Sequence, residues 1–252
     1  VSQPDYFNQL RQMALEQDSL YESTYDAYSR NQYITVKENK LYAEEKYPLS
    51  PLMPRFLFLN AIAVAKTDGQ DSFISELQDM VARYPENELS AMAKDMLALM
   101  GQGAESQQGD LSSLQVRRQI DIETDNTLDS VVVEFDSERN TTSLVLLIMP
   151  QDEAQMNQLL YDIALFNFSQ FMIRDFDLKQ IPMFAVGKSA LQVAGFDSLD
   201  DAEWYASMLK KNLDIMQVLK DNEVEILCIT QTNYDLIGKH FTLDEYLEWQ
   251  IQ

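Results

Sequence analysis

Apolar residues recur at helical spacing through residues 1–100 and change to short alternating or continuous blocks in the second half of the chain. In DSFISELQDMVARYP, Phe73, Leu77, Met80, Val81 and Tyr84 fall on one helical face. ELSAMAKDMLALM repeats the device with Leu89, Met92, Ala93, Met96, Leu97 and Met100. Tyr47-Pro48 and Tyr84-Pro85 lie 37 residues apart, each closing a helical pattern, and Leu20, Leu52 and Leu89 follow comparable breaks. That interval is close to the helix–turn–helix unit of a tetratricopeptide repeat. Ser19 and Glu22 have capping-box spacing and predict a helix start at that point. Pro54 falls in the first turn of the next helix, where its missing N–H costs little. The expectation for 1–100 is stacked helical hairpins, with Ala61, Ala63 and Ala65 allowing close approach and a concave face open to a partner. A plain helical spacer is the other reading.

Residues 101–115, GQGAESQQGDLSSLQ, hold three of the seven glycines and no long apolar period, and are read as a linker. Residues 116–252 then form a second domain. SVVVEF and SLVLLIM read as strands around the polar turn DSERNTT. A helix with Met156, Leu159, Leu160 and Ile163 on one face follows. FMIRDF (171–176) and SALQVAGF (189–196) read as further strands, and VEILCIT (224–230) as a last, buried one. Ser198 and Asp201 have capping-box spacing before a helix whose face carries Ala202, Tyr205, Met208 and Leu209. Thr242 and Glu245 repeat that spacing before a final helix with Tyr246, Leu247 and Trp249. Strand, helix, strand, strand, helix, strand is the ferredoxin-like order, with the terminal helix added to it. The fold class expected is therefore α plus α/β.

Charge narrows the partners. The net charge is −22, and both halves are acidic: 9 basic against 17 acidic groups in 1–110, and 10 against 24 in 111–252. Such a field repels nucleic-acid phosphates and anionic lipid surfaces. It suits basic or neutral proteins, or an uncharged polymer. No run of 18 apolar residues is long enough to insert in a membrane. The chain opens on Val with no basic-then-apolar leader, which reads as a trimmed or mature fragment.

Candidate chemistry is sparse. Cys228 is the only cysteine and sits in the apolar run Ile226, Leu227, Cys228, Ile229, as a small core residue would. VGKSA imitates the end of a phosphate loop, but Pro182 stands where the glycine five positions before Gly187 is required. DIETDNTLDSVV opens like a calcium loop with Asp121, Glu123 and Asp125, yet Asn126 replaces the turn glycine and Val132 the bidentate carboxylate. His240, the only histidine, follows Gly238 and Lys239 in a polar stretch and has no nucleophile elbow beside it. Asp175 and Asp177 would share one strand face, but they are two among 41 acidic groups. Tyr161, Phe166, Phe168, Phe171 and Phe176 form a dense aromatic band, read as core in preference to a ligand platform. No catalytic, cofactor or metal residue is assigned, and an enzyme is not expected.

Three segments carry a resemblance: YPLSPLMPRFLFLNAIAVAKT, LLYDIALFNFSQFMIRDFDL and VAGFDSLDDAEWYASML. There the chain resembles the C-terminal region of the large tetratricopeptide-repeat lipoproteins of the bacterial type IX secretion and gliding-motility machinery, from about residue 20 to the end. The resemblance implies a periplasmic accessory scaffold, outer-membrane-associated in a full-length protein, with a secretion-machinery component as partner and no enzymatic activity. The lipid-attachment cysteine of such a protein is missing, in keeping with a C-terminal fragment. Separately, LQVAGFDSLDDAEWYASML is similar to the second half of sporulation-related (SPOR) repeats, through Gly195, Phe196 and Ala202. That likeness implies peptidoglycan glycan-strand binding on the sheet as the alternative function, although SLVLLIMPQD has no glycine after its strand.

Overall fold

A computed structural model describes residues 3–105, 133–171 and 176–251. The chain divides into two compact units, Val1–Gln102 and Gly103–Gln252. The described residues hold helices and a four-stranded antiparallel sheet, an α+β chain.

The first unit is helical: α1 (Gln3–Ser29), α2 (Tyr33–Lys46), α3 (Met53–Thr67), α4 (Gln70–Arg83) and α5 (Glu88–Glu105). From Met53 to Val64 every residue of α3 except Arg55 is buried, because α1, α2 and α4 all pack on it. Pro54 occupies its first turn, as expected. Phe73, Leu77 and Met80 of α4 and Ala93 and Met96 of α5 are buried, so the helical phases read from the sequence hold. Polar links join the layers without opening the core: Asn60 donates to Glu76 at 2.8 Å, and Ser90 Oγ donates to the Met80 carbonyl at 3.3 Å. Leu77 is fully buried, so Leu77→Ala should cost about 2–5 kcal/mol in urea unfolding. A cost on the scale of surface substitutions, about half a kcal/mol, would contradict this packing.

Two expectations for this half need correction. Ser19 does not start a helix. α1 runs unbroken from Gln3 to Ser29, because the preceding turns hold helix-compatible residues with no interior Gly or Pro. The linker expected over 101–115 begins as helix, since α5 continues through Glu105, and the remainder of that span lies outside the described residues.

The second unit comprises β1 (Ser143–Pro150), α6 (Glu153–Gln170), β2 (Asp177–Ala185), β3 (Lys188–Phe196), α7 (Leu199–Lys211), α8 (Leu213–Asp221), β4 (Glu225–Thr230), α9 (Gln231–Leu236) and α10 (Leu243–Gln250). The sheet order is β2-β3-β1-β4. On one face α6 lies against β2 and β3, and α7 against β1 and β4. The other face, through Leu144, Leu146 and Ile148 of β1 with Leu227 and Ile229 of β4, is covered by Leu243 and Tyr246 of α10. β1 is thus buried on both sides, which explains its continuous apolar run. Ser198 caps α7 by accepting from the Asp201 N–H, and Thr242 with Glu245 forms the full capping box of α10.

Two expected strands fall half or more outside the described residues, and their described parts are not strand. Of FMIRDF, Phe171 caps α6 and residues 172–175 lie outside the described residues, while β2 itself begins at Asp177. β2 carries Pro182 at an irregularity between Ile181 and Ala185, on an edge strand where a missing donor is tolerated. Of SVVVEF, only residues 133–135 are described, and they do not pair as a strand. The Asn233 side chain holds the backbone beyond them instead, accepting from the Asp136 N–H and donating to the Asp136 carbonyl, both at 2.8 Å. That arrangement seats Phe135 against Phe241, Tyr246 and Trp249.

Candidate functional site: a groove between the first two helices

Along α1, Gln12, Leu15, Glu16, Ser19, Leu20 and Ser23 recur every three or four residues and make one stripe. Asn39 donates to Thr24 at 3.1 Å and Tyr47 to Glu16 at 2.8 Å, so α2 runs antiparallel beside that stripe. Tyr42, Lys46 and Tyr47 supply the opposite wall of a groove of about 490 Å³.

The groove has a fixed polar frame. The Tyr47 hydroxyl holds Glu16 below the ordinary glutamate range, assisted by the Gln12 amide at 3.3 Å. Lys46 donates to the Tyr42 hydroxyl at 2.9 Å, which favours its charged form, and lies 3.8 Å from Glu16. Its ammonium also sits 5.4 Å and 5.3 Å from the Tyr42 and Tyr47 ring centroids. The two rings meet edge to face at 6.5 Å. Lys46 therefore bridges the two rings and offsets Glu16, so the floor is close to neutral. Leu15 stays 61% exposed and Tyr42 47%, which leaves anchoring area for another molecule.

The candidates weighed from the sequence scatter elsewhere. His240 is exposed in the turn before α10, its N–H bonded to the Leu236 carbonyl. VGKSA is the β2–β3 hairpin: Gly187 takes the positive φ (+67°) that the turn requires, and Ser189 donates back to the Pro182 carbonyl. Asp177 opens β2 at the surface; Asp175 and the whole acidic run from Asp121 to Val132 lie outside the described residues. Gly195, with φ +110°, occupies a β3 irregularity opposite Ser143–Val145, while Phe196 and Ala202 are buried. Among the described residues no cluster of three or more His, Cys, Asp or Glu could hold a metal ion, and no helix is long and apolar enough to cross a membrane.

The aromatic band divides. Phe166, Phe171 and Phe176 gather with Phe196 around Tyr205, which donates to Asn167 at 2.7 Å. Burial pushes Tyr161 up to about 12 and raises Tyr205 and Tyr246 as well. Each phenol is held neutral in the folded state, whereas an unfolded tyrosine ionises near about 10. The stability they contribute is complete below that pH and is lost as pH rises through the folded values. Tyrosinate absorbance should therefore lag behind free tyrosine and then rise together with unfolding. Full titration near the ordinary value with the fold intact would contradict this. Cys228, pushed up to about 11 chiefly by burial, should react slowly with thiol reagents.

The groove has almost no local signal in the sequence. Tyr47 and Leu20 were legible only as repeat markers, and the one local hint is Tyr42 with Lys46, four residues apart on a helix. Compared with known proteins, the chain matches no family model, no curated protein and no solved structure.

Proposed function

We propose that this chain is a docking scaffold: its helical hairpins, paired in the tetratricopeptide manner, receive a segment of a partner protein, and its second unit, a ferredoxin-like frame, presents further surface to the same assembly. The observation that carries the reading is the α1/α2 groove, in which a hydrogen-bonded Tyr–Lys–Tyr–Glu frame displays solvent-facing apolar side chains. The order of elements in the second unit and its strand order support the ferredoxin-like frame. The resemblance in wording to the type IX secretion and gliding-motility lipoproteins supports a periplasmic, accessory setting and a secretion component as the partner.

Glycan binding on the sheet is the weaker reading. A SPOR-like site needs an open sheet face, whereas α10 covers that face over β1 and β4.

Capture from a bacterial envelope extract tests the proposal. Wild-type chain and His240→Ala should retain the same partner, and Leu15→Ser/Tyr42→Ala should lose it. Purified peptidoglycan sacculi should not sediment the protein. Loss of capture in His240→Ala, retention in the groove variant, or sedimentation with sacculi would each count against this reading.

A further inference from the structure

The groove's surroundings specify what it would hold, and this step rests on the docking reading above. Its walls are two continuous helices whose backbone groups are already bonded within themselves. A ligand there is recognised by side chains packing between ridges, not by adding a strand. From Gln12 to Ser23 the α1 stripe is about 16 Å long, the length of roughly three helical turns. An occupant that fits is a helix with a short apolar stripe, seated on Leu15, Leu20 and Tyr42.

Charge selects the rest of that helix. Between Leu15 and Lys46 every basic side chain is engaged: Arg30 with Asp26 at 3.1 Å, Lys37 with Asp68 at 2.8 Å, Lys40 with Glu44 at 2.9 Å, and Lys46 with Tyr42 and Glu16. Asp18, Glu22, Glu38 and Glu45 are exposed and form no salt bridge among the described residues. Asp18 follows Leu15 by one turn and Glu22 follows Ser19, while Glu38 and Glu45 stand one turn either side of Tyr42. Four such carboxylates thus flank the two walls against one exposed cation, Arg11, one turn before Leu15, around a nearly neutral floor. We infer that the α1/α2 groove binds a basic amphipathic helix of a partner protein, with its apolar stripe between the walls and its Lys or Arg residues over Asp18, Glu22, Glu38 and Glu45.

The test uses the full chain and two synthetic helical peptides of one pattern, one of Leu and Lys, the other of Leu and Glu, titrated at physiological ionic strength. The Leu/Lys peptide should bind and the Leu/Glu peptide should be weaker by about tenfold or more. Asp18→Lys/Glu22→Lys/Glu45→Lys should weaken the Leu/Lys peptide by about tenfold, and so should Leu15→Ser/Tyr42→Ala. Three equivalent reversals in the second unit, Glu134→Lys/Asp221→Lys/Glu248→Lys, should change it by less than about twofold. Circular dichroism confirms that each variant is folded. Equal losses from the two reversal sets would reduce the effect to general attraction by an acidic protein and overturn the inference. Groove-dependent binding of the Leu/Glu peptide would overturn the inference and leave the docking reading standing. Binding of either peptide that ignores the groove variants would overturn both.

Discussion

Tyr205→Ala should destabilise the second unit by about 3–5 kcal/mol, the range of a large aromatic removed from a packed core. Tyr205 is fully buried, with the rings of Phe171, Phe176 and Phe196 at centroid distances of 5.8, 5.0 and 5.2 Å. These neighbours come from the end of α6, the entry to β2 and the end of β3, so relaxation of one element cannot fill the space. The lost hydroxyl also leaves Asn167 without its 2.7 Å donor. Tyr205→Phe separates the two effects: it keeps the ring and should cost about 1–3 kcal/mol for the stranded amide. Urea unfolding reads both. An alanine cost below about 1 kcal/mol would mean that the aromatic cluster is not the keystone of this end of the sheet.

Tyr246→Ala should be nearly as severe, at about 3–5 kcal/mol. Tyr246 lies against Leu144, Leu146, Leu227 and Ile229, with Phe135 at 5.1 Å and Trp249 at 5.8 Å, and its hydroxyl accepts from Gln250 at 2.9 Å. α10 has only eight residues, too short to persist without its packing. Loss of this ring should free the helix and expose the apolar side chains of β1 and β4, detected as dye binding before global unfolding. A variant that unfolds in one step with unchanged dye binding would show that α10 is held by something other than Tyr246.

These cores differ in how far they could be read in advance. The faces of α4 and α5 follow a 3.6-residue period with no competing signal, so Leu77, Met80 and Met96 were placed correctly from spacing alone. β1, β3 and β4 are short apolar blocks between turn residues, and the caps at Ser198 and Thr242 depend on neighbours three residues away. β2 escaped because Pro182 argues against a strand, and only its place at the sheet edge makes the proline harmless. The chain near Asp136 depends on Asn233, 97 residues later, a link with no local signature. The groove was hidden for a related reason. Each wall reads as an ordinary surface of its own helix, and only the pairing of Tyr47 with Glu16 and of Asn39 with Thr24 brings the walls together.

Site-specific photo-cross-linking tests the central claim most directly. If the chain works in the bacterial envelope as proposed, a photoreactive phenylalanine analogue placed at Tyr42 and activated in intact envelopes should yield one discrete protein adduct, which an excess of the Leu/Lys helix suppresses. The same probe at Trp204, an exposed aromatic of the second unit, should not yield that adduct. A Tyr42 probe that remains unlinked while the Trp204 probe captures a partner would contradict a scaffold that docks through its first two helices.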